Sequence, residues 1–151
     1  MKATLAVLAL CTLPVVAEET GVQIWTATEL QTRVRNEKPN AAGVSLDRLG
    51  SWGNHRTQHE LSTRGGASEA HTNLADVIMI TSGEITLLSG GVLEEPKSTT
   101  PGELRGKSII GGTARKLSAG DIVHVLPNTP HSLTVEPGKQ CTFFVVKIEV
   151  K

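Results

Sequence analysis

Aromatic residues are scarce in this sequence, and neither sign of charge is in excess. Trp25, Trp52, Phe143 and Phe144 are its aromatic residues, too few for a surface on which nucleic-acid bases could stack. The 15 basic residues balance the 15 acidic residues, so no net positive charge is available to neutralise phosphates or anionic lipid headgroups. The composition therefore argues against a partner that is a nucleic acid or a membrane surface.

Cysteine is also scarce, and one of the two cysteines lies in a segment that resembles an export signal. Residues 1–17 contain Lys2, then an apolar run, then a Val-Val-Ala ending at Ala17, which is the layout of a secretory signal peptide. The apolar run is shorter than the roughly 20 residues that span a bilayer, so we expect cleavage after Ala17 rather than an uncleaved anchor. The protein is then periplasmic or extracellular, with no membrane contact after cleavage. Cys141 remains as the only cysteine of the mature chain, which excludes an internal disulfide, and its apolar surroundings predict burial.

The length of 151 residues suits one domain with one core. An N-terminal segment, residues 18–40, carries the capping-box pattern from Thr26 to Glu29, which predicts a short helix that ends near Pro39. From residue 41 to residue 151 the sequence alternates short apolar stretches with turn residues, and this pattern predicts an all-β barrel or sandwich. Strands are predicted at 43–49, 58–63, 76–81, 85–89, 107–110, 114–117, 122–125, 131–135 and 141–150.

Two further stretches carry structural predictions. Residues 90–112 are rich in glycine, proline and polar residues, which predicts either a lid or a solvated loop of low burial; of these we expect a lid over a pocket. Residues 143–146 are apolar on both faces of a strand, so one face should meet another subunit, and we expect a homodimer.

Candidate ligand-binding side chains are concentrated in one short stretch. Glu69 and His71 are separated by one residue, so on a strand they leave the same face about 7 Å apart. Asp76 would face away if the strand continued, but a turn through residues 72–75 can bring it back beside them. His59, His124 and Arg64 are weaker candidates, for which packing or solvent exposure is the simpler explanation.

The spacing of this stretch resembles the first motif of the cupin superfamily, in which His-x-His is followed by a glutamate and then a glycine. Glu69, His71, Asp76 and Gly83 keep that spacing, with glutamate in place of the first histidine and aspartate in place of the glutamate.

The second cupin motif is matched further along the chain. It begins with a Gly-Asp pair and passes through a proline-rich turn to a histidine. Gly120 and Asp121, the turn at residues 126–130 and His131 follow it. The usual glycine of that turn is Asn128 here, which also tolerates left-handed geometry.

The resemblance implies a conical β-barrel, also called a double-stranded β-helix or jelly roll, with a short N-terminal helix before it. It also implies that Glu69, His71, Asp76 and His131 point into the barrel mouth, where such residues often hold a divalent metal. Two imidazoles and two carboxylates suit Mn, Fe, Ni or Zn. A polar pocket without metal, in which the carboxylates only accept hydrogen bonds, is the alternative.

Two functions remain open at this point. The first is a metal-dependent enzyme that acts on a small oxygen-rich molecule, such as a sugar acid, a diketone or a phenolic compound. Glu69 or Asp76 would act as catalytic base in an isomerase, lyase or dioxygenase. The second is a non-catalytic domain that binds or senses a small molecule in the same pocket, because one fold hosts many activities.

Overall fold

The computed structural model describes residues 21–151, so the predicted signal peptide and its cleavage site lie outside the described residues. One helix, α1 (Ala27–Asn36), precedes the strands. It begins as the capping box predicts, because Thr26 Oγ1 accepts a hydrogen bond from the Glu29 amide at 3.2 Å. Val34 is fully buried, which anchors the helix on the sheet. Within residues 21–151 no helix is long and apolar enough to cross a membrane.

Twelve strands make up most of the described chain. In chain order they are β1 (Val44–Trp52), β2 (His55–Ser62), β3 (Ser68–His71), β4 (Leu74–Ser89), β5 (Val92–Leu93), β6 (Lys97–Thr100), β7 (Glu103–Gly106), β8 (Ile109–Ile110), β9 (Thr113–Ser118), β10 (Ile122–Val125), β11 (His131–Thr134) and β12 (Cys141–Glu149). The all-β prediction is therefore confirmed.

Ten of the strands form one antiparallel sheet that curls into two layers. The first layer contains β1, β2, β12, β10 and the first half of β4. The second layer contains the second half of β4 with β9, β11, β3, β7 and β6. Strands β5 and β8 pair with each other outside this sheet.

Strand β4 turns the corner between the layers. Its first half pairs with β10 and β12, and its second half pairs with β9 and β11. The bend lies at Gly83, which has a φ of 77°, and a Cβ there would collide with the carbonyl oxygen of Gln140. The sequence predicted two separate strands, one on each side of this glycine. The structure shows one long strand, because the glycine bends the chain without ending it.

Residues 90–112 do not form the loop-like lid that the sequence predicted, although the predicted low burial is confirmed, since Leu93 is the one buried residue among them. Four short strands, β5 to β8, lie in this segment. All four residues of β7 pair with β3, and β6 pairs with β7. Strands β6 and β7 therefore form one edge of the second layer, and this edge is a wall of the barrel. The two prolines of the segment and all its glycines except Gly106 lie outside the strands, and their number concealed the short strands.

The hydrophobic core fills the space between the layers at one end of the barrel. Its members are buried aliphatic and aromatic side chains together with one thiol: Ile78, Ile80, Ile85, Val125, Val135, Cys141, Phe143 and Val145. Cys141 is fully buried, as its apolar surroundings predicted. At the other end, polar side chains replace the apolar ones and a cavity opens.

Candidate metal centre

Four side chains meet at the rim of this cavity. Glu69 and His71 come from β3, Asp76 from β4 and His131 from β11, and one ligand atom of each lies within 4.8 Å of the others. The histidines and Asp76 are buried, while Glu69 keeps partial exposure. The structure thus brings together all four residues that the sequence selected.

Strand pairing explains the convergence. His131 lies directly opposite Glu69 across the pair of β11 and β3, and His71 shares the face of Glu69 because side chains alternate along a strand. Asp76 arrives from the facing layer after a short turn between β3 and β4. His131 Nε2 is 3.3 Å from Glu69 Oε1, and His71 Nε2 is 3.3 Å from Asp76 Oδ2.

The ring nitrogens of His131 have different environments. Nδ1 lies 3.0 Å from the carbonyl oxygen of Thr129, which can only accept, so Nδ1 carries the proton and Nε2 carries the lone pair. Nε2 is buried and forms no hydrogen bond with any residue of the described chain. Burial lowers the pKa of His131, which keeps the ring neutral. An unprotonated nitrogen thus faces the cluster.

Glu103, from β7, orients the second histidine, and the sequence analysis missed it. Its Oε2 atom lies 2.9 Å from His71 Nδ1, although the pair is not aligned as a hydrogen bond. The negative charge favours the proton on Nδ1 and leaves the lone pair on Nε2, toward the cluster. A carboxylate behind a histidine is a common outer partner of metal ligands.

Lys147, from β12, was also missed, and its ammonium contacts two residues of the cluster. Its Nζ atom lies 2.6 Å from Asp76 Oδ2 and 2.9 Å from His71 Nε2. Burial alone would raise the pKa of Asp76, but the contacts with its polar neighbours, the Lys147 ammonium among them, outweigh burial and hold this pKa below its ordinary value. Asp76 is therefore ionised.

Arg105 holds the remaining carboxylate of the cluster. It forms an ion pair with Glu69 Oε2 and lies 3.5 Å from Glu103. Burial lowers the pKa of Arg105. The contact directs the Glu69 Oε1 atom toward the histidines and leaves 23% of the Glu69 side chain exposed.

The cavity beside the cluster has a volume of about 570 Å³. Its inner end is apolar, with Ile78 and Phe143 among the lining residues, and its polar part includes Glu60. Burial raises the pKa of Glu60, and Gln58 donates a hydrogen bond to its Oε1 atom at 2.5 Å. The volume suits a small molecule.

The weaker sequence candidates lie away from this site. His59 is buried under the helix, where its ring nitrogens contact the carbonyl oxygen of Leu30 and the hydroxyl of Thr81. His124 is exposed on β10, and Arg64 is exposed after β2. Neither His124 nor Arg64 lines the cavity.

Solved structures with the same architecture are known. A double-stranded β-helix domain protein from Klebsiella pneumoniae superposes with a TM-score of 0.60 at 15% identity, over 85% of this chain and 90% of its own. A sugar phosphate isomerase of the cupin superfamily from Silicibacter pomeroyi gives 0.52 at 16% identity, over 72% of this chain and 60% of its own. The chain has the cupin fold. The polyketide cyclase RemF from Streptomyces resistomycificus gives 0.53 at 17% identity, over 75% of this chain and 69% of its own. No family model and no curated protein sequence matches the chain.

The donor set of this cupin-fold chain fits a divalent transition metal. Two imidazole nitrogens and two carboxylates are suitable ligands, and both rings have an oxygen acceptor near Nδ1 that leaves the lone pair on Nε2. Buried polar atoms at the cluster, His131 Nε2 and Asp76 Oδ1, form no hydrogen bond with the described residues. Such buried atoms are rare without a ligand. The Lys147 ammonium, in contrast, is a feature of the cluster that a metal site does not require.

Proposed function

We propose that this chain is an exported cupin that holds Mn, Fe, Ni or Zn through Glu69, His71, Asp76 and His131 and acts on a small oxygen-rich molecule. The observation that carries the proposal is the convergence of four donor atoms within 4.8 Å at the rim of the cavity. Sugar acids, diketones and phenolic compounds are the substrate classes, and isomerase, lyase and dioxygenase reactions fit the site.

The two carboxylates of the cluster differ in what they can do. A bound metal would supply Lewis-acid polarisation of a carbonyl or enediolate oxygen. Glu69 borders the cavity and is partly exposed, so it can reach a substrate proton as general base. Asp76 is almost fully buried and its pKa is lowered, so it serves better as an ionised ligand than as a base.

Basic side chains at the cavity favour a substrate that carries a carboxylate or a similar anion. Arg48 is exposed, lines the cavity and has no ion pair with any described residue. Arg56 also lines the cavity and lies 3.8 Å from Glu103. Guanidinium groups bind carboxylates and phosphates through paired hydrogen bonds. Among the candidate classes, a sugar acid matches these groups best, and the superposed structures include a sugar phosphate isomerase.

Non-catalytic binding of a small molecule without metal is the second candidate. The Lys147 ammonium favours it, because this group already neutralises buried Asp76 at 2.6 Å. In such a protein, the cluster would be a polar wall of the binding pocket.

Export and dimerisation complete the proposal. Export is supported by the pattern of residues 1–17 alone. For the dimer, Phe143 and Val145 face the core, whereas Phe144 and Val146 on the opposite face are only partly buried. Phe144 packs against Trp25, with ring centroids 6.4 Å apart. Of the two outward-facing residues, Val146 is therefore the one available for contact with a second copy of the chain.

Metal content and turnover of protein purified by its native export route test the proposal. We expect about one transition metal per chain, together with turnover of a sugar acid that Glu69→Gln abolishes. Glu84→Gln, a change of an exposed glutamate outside the cavity, is the matched control. Ligand binding without metal and without turnover would support the binding protein instead.

A further inference from the structure

Lys147 occupies its position because of the strand register. On β12 it lies directly opposite Asp76 of β4, and it follows Phe143 and Val145 on the face that points into the barrel. Only 11% of its side chain is exposed. The ammonium is therefore directed at the cluster by the sheet, and its contacts are not those of a lysine on the protein surface.

The ammonium uses the same atoms that a metal would need. It lies 2.9 Å from His71 Nε2 and 2.6 Å from Asp76 Oδ2. A neutral imidazole has one lone pair, so His71 Nε2 can accept a hydrogen bond from Lys147 or bind a metal, but it cannot do both. A cation of charge +2 would also be repelled by an ammonium at this distance.

We propose that Lys147 is an internal cation that competes with a divalent metal for this site, lowers the affinity of the site for metal and moves away from Asp76 and His71 when metal binds. The inference rests on the proposed metal site, because Lys147 can compete with a metal only if the four residues bind one. Lys147 is thus a residue that determines metal occupancy.

The cavity provides a place for the displaced ammonium. Lys147 lines the cavity of about 570 Å³, and its four-carbon stem has several rotatable bonds. The Glu60 carboxyl also lines the cavity and lies close enough for the charge of Lys147 to act on it. A rotation of the side chain can therefore separate it from the ligands while the ammonium stays beside an acidic group.

The first test compares affinities for Zn²⁺ and Mn²⁺ by isothermal titration calorimetry. Lys147→Met keeps the length of the stem and removes the charge, and Lys116→Met removes the charge of an exposed lysine that pairs with Glu84. We expect Lys147→Met to bind both ions at least about tenfold more tightly than the unchanged protein, and Lys116→Met to bind them equally. Circular dichroism and a thermal melt establish that each variant is folded.

The outcomes separate the two proposals. Equal affinity in Lys147→Met and the unchanged protein would overturn the competition and leave the metal site standing. Weaker affinity in Lys147→Met would also overturn it, since Lys147 would then assist the metal. If neither protein bound Zn²⁺ or Mn²⁺, both the metal site and the competition would be wrong.

A second test uses the unchanged protein and does not depend on how the variant folds. Reductive methylation followed by peptide mass spectrometry measures how accessible each lysine amine is. We expect Lys147 to be protected without metal and to become modified when Zn²⁺ saturates the site, while Lys116 reacts equally in both states. Persistent protection of Lys147 at full metal occupancy would contradict the displacement.

Discussion

Replacement of Glu103 should weaken metal binding although this residue is not one of the four proposed ligands. Its carboxylate lies 2.9 Å from His71 Nδ1, and its negative charge favours the tautomer with the proton on that nitrogen and the lone pair on Nε2. Loss of such an outer partner typically reduces metal affinity by about 10-fold to 100-fold, which corresponds to about 1.4 to 2.7 kcal/mol.

The structure indicates where in that range each variant should fall. His131 is held by the backbone carbonyl of Thr129, so only one of the two imidazoles loses its partner. Glu103→Gln keeps an oxygen that can accept from Nδ1, so we expect its metal affinity to fall about tenfold. Glu103→Ala removes the acceptor, so its metal affinity should fall by close to 100-fold. The ion pairs of Glu103 with Arg56 and Arg105 are long and partly exposed, so their loss should change the stability of the metal-free protein by less than about 1 kcal/mol.

Calorimetric titration with Zn²⁺, together with a denaturant melt of the metal-free protein, measures both quantities. Glu94→Gln is the matched control, because Glu94 lies in the same segment and its carboxylate accepts from Ser108 instead. Unchanged affinity in Glu103→Ala would refute the role of this carboxylate. A loss of stability equal to the loss of binding energy would show that Glu103 supports the fold and not the ligand.

Four other predictions follow from burial and pairing. Cys141 is fully buried and burial raises its pKa to about 11, so its thiol should react with a disulfide reagent only after the chain unfolds; rapid reaction of folded protein would be contrary to this. Burial lowers the pKa of His59 below its ordinary value of 6.5, so the unfolded chain binds more protons and the free energy of unfolding should fall as the pH drops below that value. The slope of this free energy against pH should be smaller in His59→Gln, and an equal slope would contradict the assignment. Ile122 is 62% exposed beside Met79, and Met79 pairs with Phe144 on the face of the first layer that also carries Val146. Ile122→Glu should therefore convert the proposed homodimer to monomer in light scattering, and a monomeric parent protein would exclude the dimer. Deletion of residues 97–106 should lower the melting temperature by several degrees because β7 pairs with β3; an unchanged melting temperature would show that this wall is dispensable.

The four clustered residues were predictable because their signal is local. Glu69 and His71 share a strand face by alternation, and the spacing to Asp76 and the turn before His131 match a known pattern. These features can be recognised in the sequence without knowledge of the register between distant strands. Asn128 illustrates the same point, since its φ of 62° is the left-handed geometry expected of the residue that replaces the usual glycine.

The residues around the cluster were harder to predict because their roles depend on pairing across the sheet. Lys147 meets Asp76 only through the register of β12 and β4. One signal was present, however: Phe143, Val145 and Lys147 alternate, so a cation shares the core-facing side of the strand. Glu103 and Arg105 alternate in the same way around Leu104, but turn residues on both sides made the segment resemble a loop.

Metal titration of the histidine variants decides whether the cluster binds metal. We expect the unchanged protein to bind one Zn²⁺ or Mn²⁺ per chain and the double variant His71→Ala, His131→Ala to bind none, because both imidazole ligands are removed. His124→Ala, which alters an exposed histidine outside the cavity, should bind like the unchanged protein. Stoichiometric binding by the folded double variant would show that these histidines are not metal ligands.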